Sequence, residues 1–161
     1  RDGWAPIHKG FMDLDDYLRA IREEHFTVSD NVVYHFRIST QAGVSPEMTH
    51  PFPLSNRPAR LRKLDLRCRV GVAHNGVIPL TSDPSNERYS DTAIFITDYL
   101  SHIIRRRADL RDQRVLDSIF QIAQSRFAIM DGGGYIATVG KFIDERGLLF
   151  SNASYLPWRM R

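Results

Sequence analysis

A chain of 161 residues, 42% hydrophobic and 25% charged, has the size and composition of one globular domain spanning 1–161 and excludes a disordered or fibrous protein. A net charge of +3 from 22 basic and 19 acidic residues is mild, and no apolar stretch approaches the roughly 18 to 20 residues a membrane helix requires. The single cysteine excludes an internal disulfide and fits a reducing compartment, so the expected location is cytoplasmic.

Asp2-Gly3 is a hairpin-turn signal followed by the strand-like WAPIHKG. Such a turn needs a strand before it, so the sequence is expected to begin inside a larger protein. Leu14, Tyr17, Leu18 and Ile21 recur at helical spacing, which predicts a helix over about 14–24 with Asp13 as N-cap. NVVYHFRI then alternates. It predicts a strand with Val32, Tyr34, Phe36 and Ile38 on one face and Val33, His35 and Arg37 on the other.

From Ser39 to about Asp65, four prolines and little periodicity describe a long loop or a flap over a site. Leu66 to Ala73 predicts a strand carrying Cys68, Val70 and Val72 on one face, and it stops at His74-Asn75-Gly76. A helix is predicted to start near Asp91, capped by Ser90 or Asp91, and a second one to run over 112–124. FAIMD and YIATVG around Asp131 to Gly134 predict a hairpin, as do KFID and LLFSN. Strands, then helices, then strands give an α+β class with antiparallel strands against a helix layer.

Several residues have plain structural accounts. Cys68 shares its strand face with Val70 and Val72 and reads as a small buried hydrophobe rather than a nucleophile. The six histidines (8, 25, 35, 50, 74 and 102) show no pair at metal-ligand spacing, so neither a metal nor another cofactor is expected. Asp131 to Gly134 lacks the following helix and lysine of a phosphate cradle. The basic runs Arg105 to Arg107 and RPARLRKLDLRCR come with no recognition motif, which argues against a nucleic-acid partner.

Three places invite a chemical reading when taken together. Arg37 can be a salt-bridge partner, Asn75-Gly76 a type I′ turn and Asp91 an N-cap. Equally, a guanidinium can fork onto an α-carboxylate, an aspartate can hold an α-ammonium, and an Asn amide beside a Gly N–H can stabilise an oxyanion.

HFRISTQAGVSPEMTHPFPL, VGVAHNGVIPL and SDTAIFITDYL resemble, in that order, three signatures of the class II glutamine amidotransferases, which belong to the N-terminal nucleophile hydrolases. They are also similar to compact stand-alone relatives in bacteria and phages. The matches are Arg37, Thr40 and His50-Pro51 for the first, His74, Asn75 and Gly76 for the second, and Ser90, Asp91 and Thr92 for the third, over about 33–104. Gln41 and Glu47 depart from the residues usual in the family.

The resemblance implies an αββα sandwich, with antiparallel sheets packed between helix layers. It implies hydrolysis of glutamine or a γ-glutamyl small molecule by an N-terminal cysteine upstream of Arg1, through a thioester. Arg37 would bind the α-carboxylate and Asp91 the α-amino group, with Thr40 and His50 also on the substrate. Asn75 and Gly76 would form the oxyanion hole, and His74 would support the turn. A separate protein would accept the ammonia. The alternatives are a non-catalytic amino-acid-binding or interaction module on the same fold and, further off, a basic adaptor.

Overall fold

The computed structural model describes residues 2–36, 45–79 and 89–156. Its centre is a four-stranded antiparallel sheet in the order β2 (Phe52–Pro53), β4 (Val70–Asn75), β5 (Arg126–Asp131), β6 (Ile136–Val139). A ribbon of β1 (Ala5–His8) and β3 (Asp65–Cys68) and a hairpin of β7 (Ile143–Glu145) and β8 (Leu148–Phe150) are also antiparallel. The helices are α1 (Leu14–Glu23), α2 (Pro58–Leu61), α3 (Asp91–Phe95), α4 (Ser101–Ile103) and α5 (Gln113–Ala123). The chain is therefore mixed α+β with antiparallel sheets.

β4 shows why the core sits where it does. Val70 and Val72 join Phe127, Ile129 and Val139 of the neighbouring strands in a cluster with the helical Phe95, Ile96, Leu100, Leu116 and Ile119. The intervening Gly71 turns to the ribbon, where Ile7 and Cys68 lie against it, and Ala5, Ile7 and Cys68 form a second small cluster with Met130. The period-two alternation of a strand thus serves helices on one face and the β1–β3 ribbon on the other. Cys68 is buried, and burial pushes its thiol up to about 11.

Local signals were sufficient for most helices and hairpins. Asp13 caps α1 by accepting from the amides of Asp15 and Asp16, Ser90 caps α3 by accepting from Ala93 N, and Asp112 caps α5 by accepting from Arg114 N. Between α3 and α4 the helix widens into a π-helical turn, Ile96–Leu100. The Asp131 to Gly134 segment is the expected turn, pinned by Asp131 accepting from the amides of Gly133 and Tyr135.

Three expectations change. The strand over NVVYHFRI is not formed in its described part, 31–36, while Arg37 and Ile38 lie outside the described residues. Alternation supplies two faces but no partner edge; Tyr34 and Phe36 stay exposed and meet Tyr17 of α1 edge-on, ring centroids 6.4 and 5.1 Å apart. Next, the single strand 66–73 is two strands. The chain breaks at Arg69, whose carbonyl accepts from Gly132 N, and passes from the ribbon into the central sheet. Position 132 requires a glycine, because a Cβ there would run into the Gly3 carbonyl. Finally, the segment read as a long loop from Ser39 to about Asp65 carries β2, which pairs with β4 in the central sheet, and α2 in its described part.

Lys9 follows β1 and is 5% exposed. Its Nζ donates to the carbonyls of Glu47 (2.8 Å) and Leu61 (2.6 Å) and lies 4.0 Å from the centre of the Phe52 ring, stapling α2 and the 46–48 turn to the sheet. Burial pushes its pKa down to about 7, with the Glu47 charge opposing. An amine donates to both carbonyls in either charge state, so the staple survives deprotonation. The unfolded chain holds the proton up to about 10.5, so this group's stabilisation is complete above that pH and is lost as pH falls towards 7. We expect Lys9→Met to lose about 2 kcal/mol by stranding the buried Leu61 carbonyl and the part-buried Glu47 carbonyl. Its urea midpoint should also fail to follow the wild-type rise between neutral and alkaline pH.

Candidate functional site

The second and third sequence motifs meet at the C-terminal end of β4 and the N-terminal end of α3. His74, 3% exposed, is the last fully buried residue of its strand and packs on Phe127, ring centroids 4.7 Å apart. Its Nδ1 lies 2.8 Å from Thr92 Oγ1 and its Nε2 lies 2.7 Å from Ser125 Oγ. Thr92 donates its hydroxyl hydrogen to Asp91 Oδ1 (3.2 Å), so Thr92 Oγ1 is the acceptor from an Nδ1–H of His74. The neutral ring then accepts at Nε2, and the single hydrogen of the Ser125 hydroxyl lies between that nitrogen at 2.7 Å and the Asn75 carbonyl at 3.2 Å. Burial pushes the imidazole down to about 4, the Asp91 charge opposing and His35 assisting, so the ring is neutral at physiological pH.

Asp91 is tied to the turn through both oxygens. Oδ2 accepts from Ile78 N (3.0 Å), and Oδ1 accepts from Thr92 N (2.7 Å) as well as from the Thr92 hydroxyl. The carboxylate thereby locks the segment after Gly76 onto the first turn of α3. Asn75 is half-buried and its Nδ2 donates to Ser151 Oγ at 2.7 Å, just beyond β8. Gly76 is exposed with φ +137°, and Ser125 lies directly under it.

His50 joins from the segment before β2, at a cis His50–Pro51 peptide. Its Nδ1 is 2.9 Å from His35 Nε2, which in turn is 3.0 Å from the carbonyl of His74. A carbonyl can only accept, so the one hydrogen on His35 Nε2 is shared between the His74 carbonyl and His50 Nδ1. The His50 ring also meets those of Phe52 and His74, centroids 5.0 and 6.0 Å away. Among the described residues no group of three or more His, Cys, Asp and Glu could hold a metal ion. These three histidines bond to one another, to hydroxyls and to a carbonyl instead of converging on a point.

Of the residues singled out in the sequence, His50, His74, Asn75, Gly76 and Asp91 come together here. Arg37 and Thr40 lie outside the described residues. Three members of the cluster were not singled out. His35 was read as one face of a strand, and Ser125 and Ser151 carry no spacing or motif that marks them. Neither described cleft is lined by Asn75 or Asp91: one lies beside Tyr89 and Thr97, the other at the opposite end of β4. Among the described residues no helix is long and apolar enough to cross a membrane. No protein-family model matches the chain, and neither the curated proteins nor the solved structures provide a match.

Proposed function

We propose that this chain is a glutamine amidohydrolase or amidotransferase domain of the N-terminal nucleophile type, on an αββα sandwich whose helix, sheet and ribbon layers are the portion described above. The observation that carries the reading is the joining of the His74-Asn75-Gly76 turn to Asp91 through Thr92 and the Ile78 amide, which brings two separate sequence motifs to one spot.

In this reading the thiolate of an upstream terminal cysteine attacks the side-chain amide carbon of glutamine. Asn75 Nδ2 and the Gly76 N–H hold the resulting oxyanion, the intermediate collapses to a thioester, and ammonia leaves with a proton from the cysteine α-ammonium. Water then releases glutamate and restores the thiol. Arg37 forks onto the α-carboxylate, Asp91 uses its remaining lone pairs for the α-ammonium, and Thr40 and His50 line the same substrate. His74 touches no substrate in this scheme and holds the turn. A γ-glutamyl amide would react in the same way, and a separate protein would take up the ammonia.

One observation favours the second reading, a non-catalytic amino-acid-binding or interaction module on the same fold. The Asn75 amide and both Asp91 oxygens already have partners within the protein. Incubating the full-length protein with glutamine and measuring ammonia and glutamate separates the two. Catalysis predicts turnover that falls by about 100- to 1000-fold in Asn75→Ala, the usual effect of losing one oxyanion donor. Glutamine binding by calorimetry with no turnover would establish the module instead.

A further inference from the structure

The far end of β4 carries a cleft that the proposed amidohydrolase does not use. Its volume is about 780 Å³, within the range of roughly 300 to 1,000 Å³ typical of small-molecule sites. Trp4, Leu54, Asn56, Arg69 and the Ile104 to Arg107 stretch that follows α4 line it. Val70 is five residues from Asn75 along an extended strand, so the cleft lies roughly 17 Å from the oxyanion corner.

Its charge is one-sided. Arg69, Arg105, Arg106 and Arg107 line it against a single acid, Asp2, whose carboxylate is already paired with Arg67. Asp109 accepts from the amides of Arg105 and Arg106 and so fixes the loop that carries three of the four guanidinium groups. Its own ion pair with Arg106 is long, 3.5 Å, and the Arg106 side chain is 81% exposed, so little of that charge is spent internally. Arg107 donates to the Gly3 carbonyl and ties the loop to the segment before β1.

The basic stretch around residues 57–69 behaves differently: Arg62 pairs with Glu47 and Arg67 with Asp2, whereas Arg69 meets an aromatic face. Trp4 is 41% exposed, with the Arg69 guanidinium 5.7 Å from the centre of its ring. A flat π surface beside several guanidinium forks matches a ligand with a planar ring at one end and phosphate oxygens at the other. The positive charge is gathered in one concavity rather than along a stripe, which favours a single small ligand over a nucleic-acid strand.

We propose that this cleft binds a nucleotide-sized phosphate ester, its phosphates held by Arg69 and Arg105 to Arg107 and its ring stacked on Trp4. Calorimetric titration of the full chain with ADP, pyrophosphate, adenosine and a short oligothymidylate, at low and at physiological ionic strength, tests it. ADP should bind about tenfold or more tighter than either of its two fragments. Arg69→Ala and Arg106→Ala should each weaken ADP by roughly 10- to 100-fold, the effect of losing one charge-assisted contact. Trp4→Ala should reduce ADP to the pyrophosphate level and leave pyrophosphate unchanged. Arg106 is solvent-exposed, so its variant should keep the wild-type unfolding midpoint. ADP no tighter than its fragments, arginine variants that bind it normally, or an oligothymidylate that outcompetes it would each overturn the proposal. The readout is binding and does not depend on glutamine turnover.

Discussion

Gly76→Ala should lower the unfolding free energy by about 4 kcal/mol and disable the corner formed by the two motifs. Two costs combine. Gly76 has φ +137°, a conformation that L side chains rarely adopt, with strain on the order of 2 kcal/mol. The added Cβ would also meet Ser125 Oγ well below 3.0 Å. Ser125 cannot swing aside freely, because its hydroxyl lies between His74 Nε2 and the Asn75 carbonyl, 2.7 and 3.2 Å away, and forcing it out adds a similar amount. Gly147→Ala is the matched control. Gly147 also has a positive φ, +84°, but nothing lies within 4 Å of its added Cβ, so it carries the backbone cost without the clash. Urea unfolding of both variants is the measurement; equal losses would refute the packing argument.

A second large effect concerns pH. His74 is neutral in the folded protein down to about 4, whereas in the unfolded chain it titrates near 6.5. Between these values the unfolded state binds more protons, so stability from this group is complete above 6.5 and is lost as pH falls through 4. The window corresponds to about 3 kcal/mol in all. The structural reason is burial: the ring is 3% exposed and packs on Phe127, so the imidazolium would lose its hydration even though Ser125 could turn its hydrogen to the Asn75 carbonyl. Unfolding free energies of wild type and His74→Gln, measured from mild to moderate acidity, should converge as pH drops. Parallel curves would show that His74 does not titrate in this window. Should the variant not fold, the imidazole proton resonances of the wild-type protein report the same titration directly.

Much of the fold was legible because it rests on short-range rules. The cap residues Asp13 and Ser90, and the apolar spacing behind each and along 112–124, announce their helices without reference to the rest of the chain. The hairpin turns at Asp131 and Glu145 are similarly local. What escaped depends on partners. The alternation in 31–36 is indistinguishable in sequence from that of a strand, yet a strand exists only where an edge is available to pair with it. The break at Arg69 reflects a change of sheet, which no single-strand pattern encodes.

The same distinction divides the candidate site. His74, Asn75, Gly76, Asp91 and Thr92 were visible as motifs, but the reason they adjoin is carried also by Ser125 and the Ile78 amide, groups of ordinary type whose importance is a matter of placement. Neither the bond from His35 to His50 nor that from His35 to the His74 carbonyl is expressed in sequence spacing. Lys9 is a further case, since a lysine in a strand-like stretch is normally solvated and only the Glu47 and Leu61 carbonyls give this one an interior place.

β4 has neighbours on both edges and buried side chains on both faces. Losing or gaining a single residue between Val70 and Asn75 would invert every side chain beyond the change and exchange what faces the helices with what faces the ribbon. Its length is therefore fixed as firmly as its composition. Homologous chains should vary in the number of residues at their turns and never along this segment.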